Sequence, residues 1–127
     1  MPKQLTAEAV DQYRREGYFF PVPLLNAAEV ARCRGRLEAF ERERGEPLGG
    51  ALRSKTHLLF TWIDELMRHE VVLDAVEDLI GGDILCWNTF FWTKEARTET
   101  FVSWHQDLRY WGLDSGQLVT VWLALSP

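Results

Sequence analysis

Apolar residues recur at helical spacing over the first 80 residues, and capping residues mark where the helices begin and end. Thr6 can cap a short helix that ends just before Gly17. Asn26, with a glutamate three residues later, is a capping signature that predicts a second helix ending at Gly45. A further helical region is predicted over 58–80, because two apolar stripes run through it: Phe60, Ile63, Leu66 and Met67, then Val72, Ala75, Val76, Leu79 and Ile80.

The pattern changes after Gly82, where aromatic and β-branched residues dominate and strands replace helices in the prediction. The three predicted strands are Ile84–Lys94, Phe101–Asp107 and Gln117–Leu125. Helices followed by strands are typical of an α+β protein. We therefore predict a single domain, with a mainly helical N-terminal region over 1–82 and the first strands of a β core over 83–127.

The last predicted strand, Gln117–Leu125, is very apolar, and three strands with exposed edges make a poor closed core. The sequence therefore predicts that 1–127 is a single incomplete domain, the N-terminal part of a longer one. The alternative is a small complete domain that pairs with another chain.

Composition and charge narrow the class of protein. The chain has 127 residues, 46% of them hydrophobic and 26% charged, which excludes global disorder. Its net charge of −5 disfavours nucleic acid as a partner, and no apolar run is long enough to predict a membrane span. The first residues lack the apolar run of a signal peptide, and Cys33 and Cys86 lie in different predicted elements. A cytoplasmic location without a disulfide framework is therefore expected.

The feature that best indicates a specific chemistry is the sequence Trp104-His105-Gln106-Asp107. Side chains two residues apart on a strand point to the same face, so His105 and Asp107 would converge. An imidazole beside a carboxylate supplies two of the three ligands of a 2-His-1-carboxylate iron(II) site. His-x-Asp by itself is a common pattern, and the alternative is a hydrogen-bonded pair on the surface.

The residues around this pair resemble the metal motif of the phytanoyl-CoA dioxygenase family. The resembling stretch is 101–113 (FVSWHQDLRYWGL), and three other segments resemble the family in order: Asp11–Phe20, Asp74–Leu85 and Val119–Pro127. The resemblance implies an Fe(II)- and 2-oxoglutarate-dependent dioxygenase that hydroxylates a small organic molecule with dioxygen. It also implies N-terminal helices packed on a double-stranded β-helix, a jelly-roll or cupin-like core, truncated here.

The same resemblance assigns Fe(2+) and 2-oxoglutarate as cofactors, with ascorbate as a reductant, and His105 and Asp107 as metal ligands. A second histidine and an arginine for 2-oxoglutarate are expected beyond residue 127. His57 and His69 precede the motif and are interpreted as surface or helix-end histidines.

Five further residues receive roles from the resemblance, each with a structural alternative. The predicted cosubstrate residues are Asn88, Lys94, Thr120 and Trp122, and the predicted substrate residue is Trp111. The alternatives are a hydrogen-bonded core amide for Asn88, a solvated strand end for Lys94, plain core for Thr120 and Trp122, and loop packing for Trp111.

Asp107 also favours hydroxylation over halogenation, because the related halogenases have Ala or Gly at the matching position. The alternative function is a non-catalytic, truncated or degenerate relative that acts as a binding module through strand edges and aromatic residues. These 127 residues alone are predicted to be inactive.

Overall fold

The computed structural model describes residues 2–94 and 96–126. Five α-helices lie in this part of the chain, namely α1 (Ala7–Glu16), α2 (Ala27–Arg44), α3 (Thr61–Met67), α4 (Glu70–Ile80) and α5 (Leu108–Trp111). Two short 3₁₀ turns, Gly50–Arg53 and Thr56–Leu58, connect α2 to α3. Within the described residues, no helix is both long and apolar enough to cross a membrane.

The ends of α1 and α2 follow the predicted local signals. The Thr6 hydroxyl accepts a hydrogen bond from the backbone N–H three residues on, at 3.2 Å. Asn26 and Glu29 form a reciprocal capping box, with bonds of 3.0 and 2.8 Å. Gly17 and Gly45 end the two helices in the left-handed conformation, with φ of 83° and 75°. The predicted limits of both helices are therefore confirmed.

The helical region predicted over 58–80 is divided at Arg68 and His69. His69 has an extended backbone, with φ −60° and ψ 128°, and precedes α4. Met67 and Val72, at the junction of the two apolar stripes, are five residues apart, which is out of phase for one continuous helical face. The break allows the two stripes to pack separately, and Ile63 in α3 and Val72 in α4 are both buried.

The best-defined core lies between α1 and α4. Its buried residues are Leu5, Ala9, Val10 and Ala75, and the side chains of Phe19, Val22, Leu24 and Leu79 pack against them. The backbone of the segment before α1 is held to α4 by one carboxylate, and the Lys3 ammonium adds ion pairs to Glu77 at 2.8 Å and Asp74 at 3.4 Å. Asp78 accepts backbone N–H bonds from Lys3 at 2.7 Å, Gln4 at 2.8 Å and Leu5 at 2.7 Å. Asp78 therefore anchors the N-terminal segment over the core.

Asp78→Asn is expected to lower the free energy of unfolding by about 1–2 kcal/mol, because hydrogen bonds to a charged acceptor are lost. Burial alone raises the pKa of Asp78, but the three backbone N–H groups and the Lys3 ammonium outweigh it, so the pKa lies below its usual value. This stabilisation is present above the unfolded pKa of about 4 and is lost as the pH falls through the lower folded pKa.

The measurement for Asp78 is urea unfolding at neutral pH and at several acid pH values. Asp83→Asn is the matched control, because Asp83 is exposed and makes no hydrogen bond to another described residue. Equal stability of the two variants at neutral pH would contradict the anchoring role.

The chain after α4 is mostly irregular apart from α5, and among the described residues no strand ladder forms. An isolated antiparallel bridge joins Ser54 to Phe90, and the Phe91 N–H donates to the Arg53 carbonyl at 3.0 Å. The three predicted strands and the β-helix core therefore stay predictions. The second of them differs at its end, because Asp107 has a helical backbone (φ −59°, ψ −40°) and leads into α5.

Candidate metal centre

The structure brings His105 and Asp107 into direct contact. His105 Nε2 lies 3.0 Å from Asp107 Oδ1, and His105 Nδ1 lies 2.8 Å from the Ser103 carbonyl oxygen. The two side chains are partly accessible, with 36% and 28% of their surfaces exposed. A nitrogen and an oxygen donor therefore meet at an accessible point, as the spacing of the motif predicts.

The Ser103 carbonyl determines which ring nitrogen of His105 keeps a free lone pair toward the Asp107 carboxylate. A carbonyl oxygen only accepts, so Nδ1 carries a proton and donates it to Ser103. In the neutral ring, Nε2 then has a lone pair directed at Asp107 Oδ1. The lone pairs of Nε2 and Oδ1 repel each other unless a proton or a cation lies between the two atoms.

These residues fit a divalent metal. Histidine ligands commonly donate their other ring N–H to a backbone carbonyl, as His105 does to Ser103. Imidazole and carboxylate are also the ligand types of non-haem iron(II) sites. Without a cation, a proton on Nε2 would remove this repulsion. The pKa of His105 is raised, first by the hydrogen bond to Ser103 and further by Asp107, while partial desolvation opposes the rise.

Thr120 is the predicted cosubstrate residue that the structure places at this centre. Its hydroxyl donates a hydrogen bond to Asp107 Oδ2, the carboxylate oxygen that does not face His105. This contact joins the last predicted strand to the metal motif across 13 residues of sequence. The sequence pattern did not indicate that Thr120 touches a metal ligand.

Aromatic rings lie beside the pair. Tyr110 presents an edge to the His105 ring, with centroids 6.1 Å apart. Trp111, the predicted substrate residue, stacks on Trp87 with centroids 6.4 Å apart. Trp111 therefore packs against Trp87, and its role beside the substrate pocket stays a prediction.

The other predicted cosubstrate residues have no contact with His105 or Asp107 within the described ranges. The Asn88 side-chain oxygen accepts from the Lys55 backbone N–H at 2.8 Å and from the Ser54 hydroxyl at 3.3 Å. Lys94 is exposed, and Trp122 is 80% exposed. The present contacts of Asn88 hold the loop before α3, and its cosubstrate role stays a prediction, as do those of Lys94 and Trp122.

Lys55 was not identified from the sequence. It has a left-handed backbone, with φ 53°, and its ammonium lies 5.8 Å from the centroid of Trp87, the ring that stacks on Trp111. The loop that carries Lys55 has no apolar periodicity, so no sequence signal connects it to the aromatic pair. The structure thereby adds a cation to the surroundings of the candidate centre.

The two remaining histidines lie elsewhere. His57 Nδ1 is 2.8 Å from the Thr89 hydroxyl, and His69 Nδ1 is buried without a hydrogen-bond partner among the described residues. In the same part of the chain, no group of three histidine, cysteine, aspartate or glutamate side chains could hold a metal. Within the described residues, the candidate centre therefore has two predicted ligands, His105 and Asp107.

Comparison with known proteins covers almost the whole chain. The profile of the phytanoyl-CoA dioxygenase family (PhyH) matches residues 13–127. The ectoine dioxygenase of Stutzerimonas stutzeri (strain A1501) is 27% identical over 126 residues, an alignment that covers 88% of this chain and 41% of that protein. The chain thus spans about two fifths of this curated relative's length. No solved structure matches. The family match includes His105 and Asp107, and the chain belongs to the phytanoyl-CoA dioxygenase family.

Proposed function

We propose that this chain is the N-terminal part of an Fe(II)- and 2-oxoglutarate-dependent dioxygenase that hydroxylates a small organic molecule. The observation that carries the proposal is the 3.0 Å pair of His105 Nε2 and Asp107 Oδ1 inside the span matched by the family. Similarity to an ectoine dioxygenase supports an oxygenase reaction. The third ligand and the arginine for 2-oxoglutarate are proposed to lie downstream of residue 127.

His105 and Asp107 would hold the iron, which supplies activation of dioxygen when it is bound. The Ser103 carbonyl keeps the His105 ring in the tautomer that offers Nε2 as a ligand. Tyr110 and the stacked Trp87–Trp111 pair cover nearby surface and would limit the access of water. These residues orient the centre, and we place Trp111 at the border of the substrate site.

The cosubstrate site is proposed to include the last predicted strand and the strand that carries Asn88. Thr120 is in contact with Asp107, and Trp122 lies two residues further along the same segment. Lys94 is the nearest cation to Asn88 along its own segment and is proposed to meet an anionic group. These segments would form the first strands of the family's β-helix core, with α1–α4 packed outside it.

A non-catalytic binding module is the second candidate. It is favoured by large aromatic side chains that are exposed in the described residues, including Trp104 at 92%, Phe101 at 83% and Trp122 at 80%. Exposed apolar surface of this kind often marks an interaction site. The two candidates differ in chemistry, because a module would have no need of iron.

The test is turnover of 2-oxoglutarate by the intact protein with Fe(II) and ascorbate, measured as succinate. A panel of small organic molecules, ectoine included, is screened for stimulation of succinate formation. We expect turnover that requires iron, stops when a chelator is added and rises with the correct substrate. Absence of iron-dependent turnover, together with no measurable Fe(II) binding, would favour the binding module.

A further inference from the structure

The two oxygens of the Asp107 carboxylate have different partners. Oδ1 lies 3.0 Å from His105 Nε2, and Oδ2 accepts a hydrogen bond from the Thr120 hydroxyl. A carboxylate only accepts, so the hydroxyl proton of Thr120 is directed at Oδ2. The hydrogen bond therefore distinguishes one oxygen of the carboxylate from the other.

We propose that Thr120 is a positioning residue for Asp107, which keeps Oδ2 engaged and leaves Oδ1 as the single oxygen that binds the metal. This inference rests on the proposed iron site. Hydrogen bonds to an ionised carboxylate are stronger than neutral ones, and carboxylate ligands are commonly held by such outer contacts. A carboxylate held in this way occupies one position on the metal, and the iron retains the open positions that its other reactants require.

The hydrogen-bond inventory of Thr120 also argues against direct donation to the cosubstrate. A hydroxyl has one proton to donate, and Thr120 directs it at Asp107. Ionised 2-oxoglutarate has only acceptor oxygens, so it cannot supply a donor to the Thr120 oxygen. The same hydroxyl therefore cannot donate to Asp107 and to 2-oxoglutarate at once. The contact seen in the structure assigns it to Asp107.

The position of Thr120 gives this contact a second consequence. It lies in the segment 117–125, whereas Asp107 directly precedes α5, and their contact spans 13 residues. If this segment pairs as the predicted strand, a shift by one residue would turn the Thr120 side chain to the other face. The hydrogen bond would then couple the register of that strand to the geometry of Asp107.

The experiment compares three variants of the intact protein by anaerobic Fe(II) titration and by steady-state kinetics. Thr120→Val keeps the side-chain shape and removes the donor, whereas Thr120→Ser keeps the donor. Thr61→Val is the matched control, because Thr61 is an exposed threonine at the start of α3 whose side chain has no hydrogen bond to another described residue. Circular dichroism confirms that each variant is folded.

Thr120→Val is expected to weaken Fe(II) binding by about 10-fold or more, the usual effect of losing an outer contact to a metal ligand. Its kcat should fall, while the KM for 2-oxoglutarate changes little. Thr120→Ser and Thr61→Val should bind Fe(II) like the parent protein. If Thr120→Val does not fold, Thr120→Ala takes its place: a loss of Fe(II) affinity of about 10-fold supports the proposal, and parent-like affinity contradicts it.

Two results would overturn the inference while leaving the iron site intact. One is a Thr120→Val protein with parent-like Fe(II) affinity, alongside an Asp107→Ala protein that has lost it. The other is a raised KM for 2-oxoglutarate with unchanged Fe(II) affinity, which would make Thr120 a cosubstrate contact. If Asp107→Ala itself binds Fe(II) normally, the proposed function fails as well.

Discussion

Asp107→Ala in the intact protein is expected to abolish iron-dependent hydroxylation and to reduce Fe(II) affinity by more than about 100-fold, the upper range for losing only an outer contact. The substitution removes a ligand, and it also removes the acceptor of Thr120 and the group that faces His105 Nε2. The measurements are Fe(II) titration without oxygen and succinate formation with substrate.

Asp114→Ala is the matched control for this experiment. Asp114 follows α5 in an exposed position and forms no ion pair or hydrogen bond with another described residue. It should retain the Fe(II) affinity and the turnover of the parent protein. Turnover that survives in Asp107→Ala would remove Asp107 from the site, and equal losses in both variants would indicate a general effect of charge.

Local signals in the sequence predicted α1 and α2 well, whereas α5 was not predicted. The caps at Thr6 and Asn26 and the glycines at positions 17 and 45 act on backbone groups within four residues, so the sequence contains the whole interaction. The division at Arg68–His69 was less visible. It depends on how the two apolar stripes pack against the rest of the protein. Periodicity describes each stripe separately and does not indicate how the two pack.

The candidate site was predicted in part. His105 and Asp107 are two positions apart, and their convergence was predicted for a strand; the structure forms the contact with Asp107 in a helical conformation instead. The roles of Ser103 and Lys55 were not predictable. The first acts through a backbone carbonyl, which every residue type has, and the second lies in a loop without a pattern. The contact of Thr120 with Asp107 depends on how the chain returns after α5, which no local rule determines.

The predicted strands show more clearly that a local sequence pattern does not determine long-range pairing. Aromatic and β-branched composition predicts that a segment is extended, but a ladder requires a second segment in register. Within the described residues, the bridge between Ser54 and Phe90 is the one such pairing. Thr89, next to it, accepts the Thr56 backbone N–H at 3.4 Å through its carbonyl, and its hydroxyl lies 2.8 Å from both Thr56 Oγ1 and His57 Nδ1.

Residues 1–127 alone are expected to form no succinate above the protein-free control and to bind Fe(II) weakly. The described part of the chain supplies two ligands, and no third histidine, cysteine or carboxylate joins them. A two-ligand chelate leaves the metal exposed to water and to exchange. The proposed downstream arginine would also be missing, so the distal carboxylate of 2-oxoglutarate would lack its bidentate partner.

The experiment measures succinate from 2-oxoglutarate with Fe(II) and ascorbate, for residues 1–127 and for the intact protein under the same conditions. Lys94 and Arg109 are the cations that the sequence suggests as replacements for the missing arginine, and both are exposed. Asp107→Ala in the short chain is the control for contaminating activity. Turnover by the short chain that Asp107→Ala removes would show that its site is complete, with a third ligand supplied by a second copy of the chain or by a rearranged His57 or His69.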